Sequence, residues 1–128
     1  MMRQKESFLE ILMVELKDLE SDIRVLVEKC GRDREEGKLT NYVCWENQCV
    51  FKQELLGLDV FRSLLNETAP ERFESLEEMV VFLKASMRER IRACCLYEAI
   101  TGFIDRKLSK VEHYVAGQPF KASVEGAA

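Results

Sequence analysis

The sequence predicts an all-α protein, an antiparallel bundle of three long coiled-coil-like helices that run up, down and up. Apolar residues recur at steps of three and four along most of the 128 residues, the spacing that places them on one side of a helix. The chain holds only two prolines and six glycines, which favours long helices over a turn-rich β fold. With 47% hydrophobic and 33% charged residues, it can bury a single core.

The first predicted helix covers about residues 4–30. Its apolar seam has the alternating three- and four-residue spacing of coiled coils and consists of Leu9, Leu12, Leu16, Leu19, Ile23, Leu26 and Cys30. Gly31 follows the last of these residues, at a position where a left-handed helix cap is common. The charged segment 31–38 is therefore predicted to form a turn.

The second predicted helix covers about residues 40–66, with Thr40 or Asn41 as its cap. It is apolar on most sides, and such a helix must be covered on most sides. One apolar stripe lies away from the core side and consists of Tyr42, Trp45, Cys49, Leu56 and Val60. Because Tyr and Trp are enriched at the energetic centres of interfaces, we expect the stripe to bind another protein or a second copy of the chain. The alternative is that a neighbouring helix covers it.

Polar residues interrupt the core side of the same helix at Asn47 and Glu54. A buried carboxylate is costly unless it is paired and hydrogen-bonded. If the second and third helices form a hairpin about residue 71, Glu54 lies opposite Arg90. We therefore predict that Asn47, Glu54 and Arg90 form a buried polar set that fixes helix register, with a Glu54–Arg90 pair and Asn47 reaching toward Tyr97 or Glu98. A ligand site is the alternative.

The third predicted helix covers about residues 76–116 and is the longest, so we expect it to overhang the other two. Ser75 begins the capping-box pattern that marks its start. Gly102 is the position where a bend or a break is expected. Residues 118–128 are predicted to be a disordered tail, which leaves residues 1–117 as a single domain.

Five cysteines, an odd number, and one histidine indicate neither a zinc site nor a disulfide framework. We expect reduced thiols that pack as small apolar side chains, with a redox role for the adjacent Cys94 and Cys95 as the alternative. Acidic residues interrupt the apolar N-terminus, so no signal peptide or membrane span is predicted. The expectation is a cytoplasmic protein with no membrane partner, metal or cofactor.

Motifs for phosphate, dinucleotide, serine-hydrolase or zinc-protease chemistry are missing from the sequence, so we predict that the protein is not an enzyme. One alternative is a helical enzyme that uses only carboxylates. Another is a nucleic-acid or ribonucleoprotein accessory, because Lys84, Arg88 and Arg92 form a basic stripe that could contact phosphates. The net charge of −4 gives no general attraction to nucleic acid.

A long heptad helix, a charged turn and a second helix with the segment Glu-Leu-Leu-Gly-Leu at residues 54–58 resemble the helical export chaperones of flagellar hook-associated proteins. The resemblance covers the first two helices and depends on periodicity. It implies that the protein binds an amphipathic helix of a partner in a groove. The sequence therefore predicts an adaptor, or a chaperone-like protein as the resemblance implies, that works by protein–protein contact and either binds a partner helix or self-associates through its second helix.

Overall fold

A computed structural model describes residues 2–117 of the chain, and its regular structure is helical. The four α-helices are α1 (Met2–Glu35), α2 (Asn41–Glu67), α3 (Leu76–Ala93) and α4 (Ala99–Val115), with a short 3-10 helix at Pro70–Arg72. The prediction of an all-α protein is confirmed. The predicted number of helices is wrong, since the long third helix is divided into two. The predicted tail, residues 118–128, lies outside the described residues.

The division falls at residues 94–98 and not at Gly102, which lies inside α4. Cys95 adopts a left-handed conformation with φ of 56°. Its backbone N–H donates to the Arg92 carbonyl at 3.1 Å, and that of Leu96 donates to the Ile91 carbonyl at 3.0 Å. These two bonds are the Schellman motif that ends many helices. Glycine usually occupies the left-handed position, so a cysteine there gives no signal in the sequence.

The same motif ends α1, one turn later than predicted. Gly31 is helical, and the chain continues in the helix to Glu35. Gly37 holds the left-handed position with φ of 78°, and the Lys38 N–H donates to the Asp33 carbonyl at 2.8 Å. Because glycine is tolerated within a helix at a modest cost, Gly31 alone does not end it.

The start of α2 is capped by Thr40, whose hydroxyl accepts a hydrogen bond from the Val43 N–H at 3.2 Å. The connection from α2 to α3 is not a tight turn. Residues 68–75 run along the bundle toward the start of α1, where Lys5 donates to the carbonyl of Phe73. Ser75 then caps α3 by accepting from the Glu78 N–H at 3.1 Å, as the capping-box pattern predicts.

The four helices pack in a square in which consecutive helices are neighbours and α4 closes against α1, so the chain runs up, down, up and down. Contacts between distant residues join each neighbouring pair: Cys30–Cys44, Glu67–Arg90, Lys84–Ser109 and Glu15–Lys107. One core fills the square and is formed mainly by Phe8, Leu12, Leu16, Leu58, Phe61, Met79, Leu83, Met87, Ile91, Ile104 and Leu108.

The helices differ in length, and this decides where the square ends. α1 has 34 residues, whereas α3 and α4 have 18 and 17, about 50 Å against about 26 Å at 1.5 Å per residue. The end of α4 lies at the start of α1, where Gln4 donates to the Val115 carbonyl. The start of α4 meets α2 at Gly57. The last third of α1 and the first half of α2 therefore extend beyond α3 and α4.

We call residues 24–52 the protruding hairpin. It consists of the last third of α1, the turn and the first half of α2. The predicted overhang thus exists, but the first two helices form it and the third does not. The reason is the break at Cys95, which replaces one long helix by two short ones.

Candidate protein-interaction surface

The apolar stripe predicted on the second helix is largely exposed. Tyr42 and Trp45 are 66% and 62% exposed, and Leu56 is 41% exposed, while Cys49 and Val60 are half-buried. The rings of Tyr42 and Trp45 lie 6.5 Å apart between centroids and are tilted by 35°, so they form one aromatic platform near the tip. Neither α1 nor a later helix covers this platform.

The position of α3 explains this exposure. Toward the end of α2, Val60 packs against the core, and Glu67 on the same side of the helix bonds Arg90 of α3. At 100° per residue, Tyr42, Trp45, Cys49 and Leu56 continue this side of α2 toward its start. Since α3 ends at Ala93, none of the helices within residues 2–117 covers them.

The inner side of the protruding hairpin is open for the same reason. Leu19 lies beside Phe103 of α4 and packs against the core. Leu26, one heptad further along the same seam, is 45% exposed because α4 has not yet begun at this level. On α2, Val43 and Val50 continue the seam of Phe61 and are also exposed. The core pattern of both helices therefore extends beyond the core itself.

Within residues 24–52, the only buried side chains are Cys30 and Cys44. Their sulfur atoms lie 3.1 Å apart, and each sulfur also lies 3.6 Å from the other residue's carbonyl oxygen. The hydrogen bond with Cys44, aided by burial, raises the pKa of the Cys30 thiol, and the Asn47 side chain partly opposes this by bonding the sulfur. Cys30 is thus held in the thiol form.

The spacing of Cys30 and Cys44 about the turn could have indicated this contact. Both residues lie seven positions from Gly37, so an antiparallel hairpin that turns there places them opposite each other. The predicted turn at 31–38 was centred too early to suggest it.

The predicted pair between Glu54 and Arg90 is wrong. Arg90 bonds both carboxylate oxygens of Glu67, at 2.7 and 3.4 Å. The extended connection at residues 68–75 shifts α3 along α2, and Glu54 lies thirteen residues, about 20 Å along the helix, from Glu67. Glu54 is half-buried, and this burial raises the pKa of its carboxyl.

Asn47 and its surroundings also differ from the prediction. Asn47 is exposed, and the effect recorded for its side chain is to lower the pKa of the Cys30 thiol. The backbone N–H of Tyr97 instead donates to the side-chain oxygen of Gln53 at 3.1 Å. This hydrogen bond links the α3–α4 turn to α2, a role of Gln53 that was not predicted.

The predicted basic stripe lies on α3, and each of its three side chains lies beside an acidic or hydroxyl group. Arg88 pairs with Asp105 at 2.8 Å, and Arg92 lies 3.8 Å from Glu98. Lys84 donates to the Ser109 hydroxyl at 2.8 Å. The stripe is directed in part toward α4, so it presents less free positive charge than the sequence suggests.

Groups suited to metal or thiol chemistry are scarce in the described part of the chain. Residues 2–117 contain no group of three or more His, Cys, Asp or Glu side chains that could hold a metal ion. Cys94 and Cys95 are exposed at the α3–α4 turn. The surface concavities include one of about 600 Å³ between the start of α1 and the end of α4, lined by Arg3, Gln4, Ser7, Ile11, Tyr114 and Val115.

Comparison of the chain with protein-family models, with curated proteins and with solved structures gives no match. Among the helices of residues 2–117, none combines the length and the apolar character required to cross a lipid bilayer.

Proposed function

We propose that the protein is a non-enzymatic protein–protein interaction module that binds through its protruding hairpin. The proposal rests on the exposure of Tyr42 and Trp45 in the hairpin, and of Leu56 next to its base, along one side of α2 beyond the end of α3. Contiguous exposed apolar surface of this kind marks interaction sites. Aromatic residues at its centre can supply most of the binding free energy.

The hairpin also has the geometry of an incomplete bundle. At its base, α1 and α2 are two sides of a four-helix square, and near the tip the same two helices continue without the other two. Leu26, Val43 and Val50 are the exposed core positions of that missing half. Two further helices would complete it, so the fitting partner is α-helical.

A second copy of the chain is the occupant that the charge distribution favours. Residues 24–52 contain six basic and five acidic side chains, whereas the whole chain has a net charge of −4. The acidic excess therefore lies outside the hairpin, and two hairpins can approach without strong repulsion. A two-fold axis would bring two helices of each copy together in an isologous contact. About 18 Å of paired helix is a small interface, so we expect a reversible dimer with a micromolar dissociation constant.

Sedimentation of the full chain across a range of concentrations tests the proposal. We expect a monomer–dimer equilibrium that Trp45→Ala weakens about 30-fold, the effect of removing a binding hot spot of about 2 kcal/mol. Tyr114→Ala is the matched control, because Tyr114 is as exposed as Trp45 but lies near the end of α4. A strict monomer at every concentration, or equal weakening by both variants, would contradict the second copy as partner. If the chain proves to be a strict monomer, the next partner to test is an amphipathic helix from another protein.

The cellular setting we propose for this adaptor or chaperone-like role is the cytoplasm, because its reducing conditions would keep the five thiols reduced. Nucleic-acid binding has weaker support, because Arg88 and Arg92 already face acidic partners. A carboxylate-based enzyme has weaker support still. The two carboxyls whose pKa burial raises, Glu54 and Glu112, lie on α2 and on the last turns of α4, far apart along the bundle.

A further inference from the structure

The two cysteines Cys30 and Cys44 are the only fully buried side chains of the protruding hairpin. Cys30 and Cys44 are 5% and 1% exposed, and the other side chains of residues 24–52 are exposed or half-buried. A segment with so few buried contacts opens locally at a low free-energy cost. A covalent bond at this position would therefore change the behaviour of the whole tip.

The two thiols meet the geometric requirement for such a bond. They lie on different, antiparallel helices with their sulfur atoms 3.1 Å apart, so a movement of about 1 Å reaches the disulfide length of about 2.05 Å. The remaining thiols lack this arrangement. Cys49 lies on the same helix as Cys44, and Cys94 and Cys95 are adjacent in the chain.

We propose that Cys30 and Cys44 form a reversible disulfide under oxidation by a hydroperoxide, and that this bond clamps the tip of the hairpin. One thiolate attacks the peroxide oxygen, the O–O bond breaks, and a sulfenic acid and an alcohol or water form. The second sulfur then attacks the sulfenic sulfur, the S–S bond forms, and water leaves. The two thiols lose two electrons and two protons in total, and the hydroperoxide is reduced by the same two electrons.

The surroundings of the pair set the rate of this reaction. The attacking species is the thiolate, and the contact between the thiols keeps Cys30 protonated. Oxidation should accelerate with rising pH and should require opening of the tip. The pair is then a slow sensor of sustained oxidation and not a fast catalytic thiol.

The disulfide would act mainly on the tip of the protruding hairpin. The disulfide closes the segment 31–43 into a loop, which includes the turn and Tyr42 and lies next to Trp45. Closure of a loop of about this size restricts the open states of the tip, so amide hydrogens in residues 26–50 should exchange more slowly. The bond thereby fixes the platform that carries the exposed aromatic rings, whether or not the platform binds a second copy.

The test uses the full chain with Cys49, Cys94 and Cys95 all changed to Ser, which leaves the buried pair and its packing intact. The protein is treated with hydrogen peroxide and then alkylated, and its intact mass and peptide map are measured. We expect loss of both alkylatable thiols, a linked peptide that joins Cys30 to Cys44, and full reversal by a dithiol reductant. Hydrogen exchange of the tip should slow at least ten-fold in the oxidised protein.

Three results would overturn the proposal. The first is retention of two free thiols after treatment that oxidises the same protein in denaturant. The second is oxidation to sulfinic acid without an S–S bond, and the third is a disulfide between two chains. Adding Cys44→Ser to the same background supplies the control, since it removes the partner and should prevent both the mass change and the slower exchange.

Discussion

Gly57 lies where α4 comes closest to α2. A Cβ atom at this position would be 2.7 Å from Cγ2 of Ile100 and 3.3 Å from its Cδ1. Ile100 is buried and β-branched, so it has little freedom to move aside. The absence of a side chain at Gly57 thus permits the close approach of α4 to the middle of α2.

We predict that Gly57→Ala destabilises the protein by about 1 kcal/mol. Overpacking costs about 1–3 kcal/mol, and the gain in helix propensity returns about 1 kcal/mol. Gly31→Ala should instead stabilise by about 1 kcal/mol, because nothing lies within 4 Å of a Cβ there. Urea unfolding measures both changes. If Gly57→Ala proves as stabilising as Gly31→Ala, the packing of α4 on α2 is wrong.

Glu54 makes stability depend on pH in a direction that its burial determines. Because burial raises the pKa of this carboxyl in the folded state, the folded protein binds the proton more tightly than the unfolded chain. Its contribution to stability is full below the ordinary pKa of about 4.3 and is lost as the pH rises through the raised value. At neutral pH the ionised Glu54 therefore destabilises the fold.

Replacing Glu54 by Gln should raise the free energy of unfolding at pH 7 and should have no such effect at pH 3. The amide has the same shape and cannot ionise, so it removes only the cost of the buried charge. Thermal unfolding of both proteins across this pH range gives the comparison, with Glu46→Gln on the exposed side of the same helix as the control. A gain that is equal at both pH values would show that charge is not the cause.

At the scale of single elements, the turn between α3 and α4 determines the architecture. Cys95 is the left-handed residue of its Schellman motif, a conformation that costs a non-glycine residue about 1–2 kcal/mol. Without this turn, α3 and α4 would be one helix, and the protruding hairpin would have a helix beside it.

We predict that Cys95→Gly stabilises the protein by up to about 1 kcal/mol, because glycine adopts the left-handed conformation without strain. The larger entropy that glycine gains on unfolding offsets part of this stabilisation. Cys94→Gly should instead lose about 0.5 kcal/mol, since Cys94 has an ordinary φ of −88°. Guanidinium unfolding of the two exposed-site variants provides the measurement. If Cys94→Gly stabilises the protein and Cys95→Gly has no effect, then Cys95 is not the left-handed residue of this turn.

Helix boundaries and faces were predictable where periodicity and caps agree. Thr40 and Ser75 start α2 and α3 as expected, and the seam residues Leu12, Leu16 and Ile23 are buried. The break at Cys95 was not predictable, because no glycine or proline marks it. The ion pair of Arg90 was also mispredicted, since helix register depends on the extended connection at residues 68–75 and not on periodicity.

At the scale of the whole molecule, unequal helix lengths leave one half of a bundle without its other half. The stripe of Tyr42, Trp45 and Leu56 could be found from the sequence, because an all-round apolar helix needs more cover than three helices give. The reason why this stripe is exposed could not be found from the sequence, because it depends on where α3 ends. The pairing of Cys30 with Cys44 likewise required the position of the α1–α2 turn.

The emission spectrum of the single tryptophan, measured over a wide range of protein concentration, shows whether a second copy covers the exposed side of α2. Trp45 is the only tryptophan and lies on the proposed contact surface, so its signal reports on that surface alone. We expect the long-wavelength emission and easy quenching of an exposed indole at low concentration, and a blue shift with loss of quenching as dimers form. Short-wavelength emission at the lowest concentration, or exposed emission while the protein is dimeric, would contradict this expectation.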